Sequence, residues 1–253
     1  MAKHDPIPRP AGYWLRSQRP LQALIFLAPL ILLYDIALPQ IDHNTSDIFA
    51  RLLLYRFFEY LGITIHYLPG MILIAVLLCW HKARKDPWRL EPKVYGLMWI
   101  ETLALAIPLL VFQMVLYRQG ILKAQAGAEA VAAAGGMMNV RAELVFAIGA
   151  GIYEELLFRL IAMTLLHILL VDLLKSSHKA AMPFVIVIPA VLFSLHHFMG
   201  ATPFTWGRFT FFTGAGLYFA CVFLARGFGI VAGVHAMHNV LVVALLYLMQ
   251  QRG

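Results

Sequence analysis

Apolar stretches of about twenty residues, the length an α-helix needs to cross the hydrocarbon of a bilayer, recur along almost the whole chain. They run from Leu21 to Leu38, Ile63 to Trp80, Leu97 to Tyr117, Ala142 to Leu174, Pro183 to Phe198, Phe209 to Ala225 and Gly229 to Met249. Lipid offers no partner to a backbone N–H or C=O, so spanning segments must satisfy their own backbone, and runs of this length select helices. Of the 253 residues, 61% are hydrophobic and 13% charged, against about 45–50% apolar in soluble domains. That excludes an ordinary soluble fold, and the intervening segments are too short for a separate soluble domain. The expectation is an all-α, polytopic transmembrane helical bundle of about seven spans (six to eight), forming one integral membrane domain over residues 1–253.

The connecting segments add detail. Residues 1–20 are basic and punctuated by proline, with Tyr13 and Trp14 suited to the headgroup layer, and read as a cytoplasmic N-terminal segment. The first apolar run is followed by Pro39-Gln40-Ile41-Asp42 rather than a small-residue cleavage pattern, so it reads as a retained helix. Asn44-Thr45-Ser46 matches a glycosylation sequon. Asp47 to Leu61 mixes arginines and a glutamate with leucines and aromatics, the pattern of an amphipathic helix in the membrane interface. Lys123 to Met138 is an Ala/Gly-rich connector. Cys79 and Cys221 lie inside apolar runs and read as packing residues, not as a disulfide or metal site.

The net charge of +7 points to the lipid bilayer rather than to nucleic acid as a partner, since no basic stripe is interleaved with aromatics. With the N-terminus cytoplasmic, twelve of the twenty Lys and Arg residues fall on the cytoplasmic side, seven on the other, and Arg159 within a span. The positive-inside rule favours that orientation in a bacterial-type inner (plasma) membrane.

Charge inside a span costs about 2.5–3.5 kcal/mol even on insertion scales, and Glu154, Glu155 and Arg159 carry that cost together. Glu155 and Arg159 are four apart and share a helix face, whereas Glu154 is turned about 100° away, free for another neighbour. A carboxylate in an apolar site suits general base work. Two later spans bring His196 with His197, and His235 with His238 and Asn239. His235 and Asn239, four apart, face the same way and suit a developing oxyanion. The mechanism these residues suggest is a water held between Glu154 and His197, with Glu154 removing its proton during attack on a peptide carbonyl. Ser194 is too constrained beside His197 to serve as a nucleophile. No cofactor is required on this reading. The alternative is a divalent metal such as zinc held by Glu154, His197 and His235, because His₂Glu is a catalytic zinc set, although the HExxH spacing is absent.

These residues resemble the CAAX protease and bacteriocin-processing family of intramembrane endopeptidases, which includes the Ras-converting CAAX endopeptidase. The EExxxR motif corresponds to Glu154-Glu155-Leu156-Leu157-Phe158-Arg159, FxxxH to Phe193 through His197, and HxxxN to His235 through Asn239. The resemblance spans residues 142–249, the catalytic core. It implies that Glu154 activates water with His197 as partner, that His235 and Asn239 form the oxyanion side, and that Glu155 and Arg159 shape the site. His196 and His238 lie outside the motifs and are supporting residues. The substrate would be a membrane-associated or C-terminally anchored protein.

Two other classes remain open. A proton-coupled transporter would also place Glu, His and Arg within the membrane, but it predicts inverted repeats, which the halves of this chain do not display. A non-catalytic scaffold or immunity protein would not need the Glu154, His197, His235 and Asn239 set. One tension stands in the peptidase reading. From the run limits Glu154 lies about 18 Å from the outer end of its helix, and His235 about 9 Å from the cytoplasmic end of its own.

Overall fold

The computed structural model describes residues 12–41, 48–65, 67–122, 139–199 and 203–251. The sequon, the Ala/Gly-rich connector and the first eleven residues lie outside them. The described chain is helical: α1 (Tyr13–Ser17), α2 (Pro20–Ala37), α3 (Phe49–Tyr60), α4 (Leu68–Arg84), α5 (Pro92–Arg118), α6 (Val140–Leu173), α7 (His178–His196), α8 (Trp206–Arg226) and α9 (Phe228–Gln250).

Local chemistry sets the ends. Pro20 and Pro92 open α2 and α5 at positions where a missing N–H costs no helix bond. The side chains of Asn139, Ser177 and Thr205 cap α6, α7 and α8 by accepting from Ala142, Ala180 and Arg208 N–H. Gly227, at φ +80°, is the entire connection between α8 and α9, a backbone conformation open essentially to glycine alone.

Among the described residues six helices are long and apolar enough to cross a membrane: α2, with the 3₁₀ turn that follows it, and α5 through α9. The seventh expected span corresponds to α4, which at 17 residues is shorter. It nevertheless carries the chain back across the bundle. Arg19, just before α2, is 3.8 Å from Asp86 and 3.7 Å from Glu91, both beyond the end of α4. At the opposite end Arg141 donates to Gln40 at 2.6 Å. The amphipathic segment forms α3, 12 residues long.

Helix α9 occupies the centre, packed on α6, α5, α2 and α8. Its small residues permit this. A Cβ on Gly229 would meet Ala23 at 2.7 Å, and one on Gly233 would meet Phe26 and Thr102 at 2.7 Å. The two cysteines are exposed on the helix surfaces instead of packed inside. The apolar side chains that face outward, Ile100, Leu103 and Ile107 among them, are those a lipid-facing surface requires.

The tension over depth disappears with the length of α6. Its 34 residues extend about 51 Å, well beyond the ~30 Å hydrocarbon layer, so the helix tilts or projects and its ends do not mark the depth of its neighbours. Part of this helix is wound more widely, as π-helix over Leu156–Met163 and Ile168–Leu173. The first widened segment begins directly after Glu154 and Glu155, and such turns concentrate at functional sites.

Candidate active site

Three elements bring the polar residues together. Helix α6 supplies Glu154, Glu155 and Arg159, the C-terminal end of α7 supplies His196 and His197, and α9 supplies His235, His238 and Asn239. They meet along a cavity of about 380 Å³, counting its open mouth, whose polar lining is Glu154, His197, His235, His238 and Asn239. Aromatic rings complete the wall, chiefly Phe193 from α7 and Phe211, Phe212 and Phe219 from α8.

The charged residues form a continuous buried chain. Arg159 Nε is 3.1 Å from Glu155 Oε2, and Glu155 Oε1 accepts from His235 Nδ1 at 2.8 Å. Arg159 also donates to the Gly216 carbonyl at 3.0 Å, and its guanidinium lies 4.5 Å from the centre of the Phe193 ring. With 1% and 0% of their side chains exposed, Arg159 and Glu155 could not remain ionised singly. Their pairing offsets part of the desolvation each would suffer alone.

Glu154, 7% exposed, faces three imidazoles through their Nε2 atoms. His196 is 3.3 Å from Oε1, and His197 and His235 are 4.0 and 3.9 Å from Oε2. Oε2 is buried and has no direct hydrogen-bond partner among the described residues. His196, outside the motif, is therefore nearer to the carboxylate than His197.

The end of α7 explains how two adjacent histidines share one target. The last carbonyls of a helix lack intrahelical partners, and here the His197 N–H bonds back to Ser194. The Phe193 carbonyl receives Nδ1 of both His196, at 2.5 Å, and His197, at 2.7 Å. Since a carbonyl only accepts, both Nδ1 atoms carry the proton and, in the neutral rings, both Nε2 atoms are bare acceptors. Phe212 stacks on His197 at 3.8 Å and Phe219 on His235 at 4.5 Å, fixing the ring planes. Ser194 is committed elsewhere, donating to the Phe209 carbonyl at 3.1 Å.

Other contributors carry no motif. Phe49 of α3 packs against His196, with ring centroids 6.0 Å apart. Tyr153, next to Glu154, donates to Asp35 at 3.4 Å and lies against Arg51, which is 2% exposed. Asp35 and Glu101 thus meet residues of other helices, Asp35 with Tyr153 and Glu101 with Arg226. A run of polar residues at helical spacing would have announced these contacts. They arise instead between helices far apart in the chain.

For a metal, the donor atoms of Glu154, His196 and His197 all lie within 4.8 Å of one another. Their anchored Nδ1–H groups match the way ligating histidines are held. His235, the other histidine of the expected His₂Glu set, has its Nε2 3.9 Å from Glu154 Oε2 and its Nδ1 held by Glu155.

No curated protein and no solved structure matches the chain. The family model described as type II CAAX prenyl endopeptidase Rce1-like matches residues 138–241, a stretch that holds all three motifs and every polar residue of the cavity. Over this stretch, which is less than half of the chain, the protein is similar to the CAAX protease family that the motifs resemble.

Proposed function

We propose that the protein is an intramembrane endopeptidase that hydrolyses membrane-associated or C-terminally anchored protein substrates with a water activated by Glu154. The observation that carries this reading is the Glu154 carboxylate, buried in an aromatic cavity and faced by three imidazole Nε2 atoms at 3.3–4.0 Å. Separations near 4 Å suit a bridging water better than a direct bond. His197 accepts one hydrogen bond from that water and orients it, and Glu154 accepts the other and takes that proton as the oxygen attacks the peptide carbonyl. The tetrahedral oxyanion is met by His235 and Asn239. His235 donates from Nε2 when protonated, with Glu155 holding its Nδ1–H; the buried charges Arg159⁺, Glu155⁻, His235⁺ and Glu154⁻ then balance. Collapse of the intermediate breaks the C–N bond, and the proton held by Glu154 passes to the leaving amine.

A second reading rests on the compactness of Glu154, His196 and His197. These three would hold a divalent ion such as zinc, which would supply Lewis-acid polarisation and a more acidic water. The chain's own residues would keep the same roles in binding and orientation.

The N-terminus is assigned to the cytoplasmic side of a bacterial-type plasma membrane. Arg16, Arg19, Arg84 and Arg226 all belong to one end of the bundle, each held by an acidic partner, as the positive-inside rule would have it.

The test is cleavage by purified protein in detergent of two membrane-anchored reporters, a farnesylated peptide ending in a CAAX sequence and a C-terminal sorting helix. Glu154→Gln is expected to lower the rate about a thousandfold, and His197→Ala to lower it as well. Unchanged cleavage in both variants would overturn the assignment. Loss with a chelator and recovery with zinc would establish the second reading.

A further inference from the structure

His238 is left without a role by the chemistry above. It lies one turn beyond His235 on α9, is 5% exposed, and lines the same cavity. Its Nδ1 is 3.2 Å from Asn239 Oδ1. A carboxamide oxygen only accepts, so Nδ1 carries the proton and donates, and in the neutral ring Nε2 is a bare acceptor. That Nε2 is buried and without a partner among the described residues. A buried acceptor left unpaired is costly, and its presence in a cavity wall marks where a donor from outside the chain would bind. The same contact occupies the oxygen of Asn239 and leaves its NH₂ free to face the reaction.

We propose that His238 is a substrate-recognition residue whose Nε2 accepts a hydrogen bond from the backbone N–H of the very residue whose carbonyl is attacked. The proposal rests on the peptidase reading for the placement of that carbonyl. In an extended peptide the N–H and C=O of one residue point to the same side. A carbonyl directed at Asn239 therefore presents the N–H of its own residue to the adjacent His238. The ligand class is an extended peptide with a free N–H at that position, and proline, which has none, is rejected there.

The experiment measures binding to full-length Glu154→Gln protein, so that turnover plays no part. The probes are a farnesylated peptide ending in Cys-Ala-Ala-Met and its depsipeptide twin, in which an ester oxygen replaces the N–H of the farnesylated cysteine. With His238 present, the ester is expected to bind about tenfold more weakly. In a His238→Asn background, which keeps a donor at the Nδ1 position but removes Nε2, the two peptides should bind equally. In His238→Gln, whose carboxamide oxygen reaches the Nε2 position, discrimination should return. Equal binding by the His238 protein, binding of neither peptide, or tenfold discrimination persisting in His238→Asn would overturn the proposal. Hydrolysis by wild type is scored separately. Cleavage without discrimination removes the role of His238 alone, whereas His238-dependent binding without cleavage removes the peptidase reading and leaves a peptide-binding residue.

Discussion

Glu155 stands between Arg159 on one oxygen and His235 on the other. Removing its charge would leave a guanidinium buried without compensation, a change that costs about 3–5 kcal/mol. Glu155→Gln is therefore expected to lower thermal stability in detergent by that order, while a Glu155→Gln, Arg159→Met double variant should lose less than the sum of the single changes. A double-mutant cycle on melting curves checks this. The pairing of Glu155 with Arg159 was legible in the sequence, because residues four apart on a helix share a face. The part played by His196 was not. Adjacent residues on a regular helix diverge by about 100°, which sets His196 and His197 on different faces. Only the end of α7 leaves the Phe193 carbonyl free to draw both rings round to the same carboxylate.

Between α6 and α9 the contact is backbone to backbone. A Cβ on Gly151 would meet the Ala236 nitrogen at 2.3 Å and its Cα at 2.5 Å. Glu154 lies three residues from one side of this contact and His235 is adjacent to the other, so the gap between the helices sets the distance between the two side chains. Gly151→Ala is expected to push α9 away and lower the cleavage rate about a hundredfold, with the protein still folded by circular dichroism. Gly96→Ala on α5, where a Cβ meets nothing within 4 Å, should leave activity intact and gain about 0.5–1 kcal/mol. The apolar runs and small residues made the helices and their close packing readable in advance. The widened turns of α6 and the approach of α3 to His196 were not, because they depend on how distant helices settle against one another, which no local spacing records.

The described part of the N-terminal segment, from Gly12 onward, is built into the bundle. Arg226, 3% exposed, bonds to Glu101, to Ser17 at 2.8 Å and to the Trp14 carbonyl at 3.1 Å, and its guanidinium lies 3.6 Å from the Trp14 ring centre. Tyr13 also donates to Glu101; burial, with that carboxylate beside it, pushes the hydroxyl above the ordinary tyrosine range and keeps it a donor. Arg226→Met should release this corner, seen as a lower melting temperature and as rapid tryptic cleavage after Arg16, a site expected to be protected in wild type. Protection unchanged in the variant would show that the apolar contacts of α2 suffice. The sequence marked residues 1–20 as basic and peripheral, and hid that Arg226, two hundred residues on, holds Trp14 and Ser17. The excess length of α6 bears on how the protein meets its lipids. A helix longer than the local hydrocarbon layer answers a change of acyl chain by changing its lean, and α6 carries Glu154, the proposed general base. Lipid composition thereby becomes a control on catalysis: vesicles of short and long acyl chains should give different turnover from the same protein, with no lipid headgroup recognised at all.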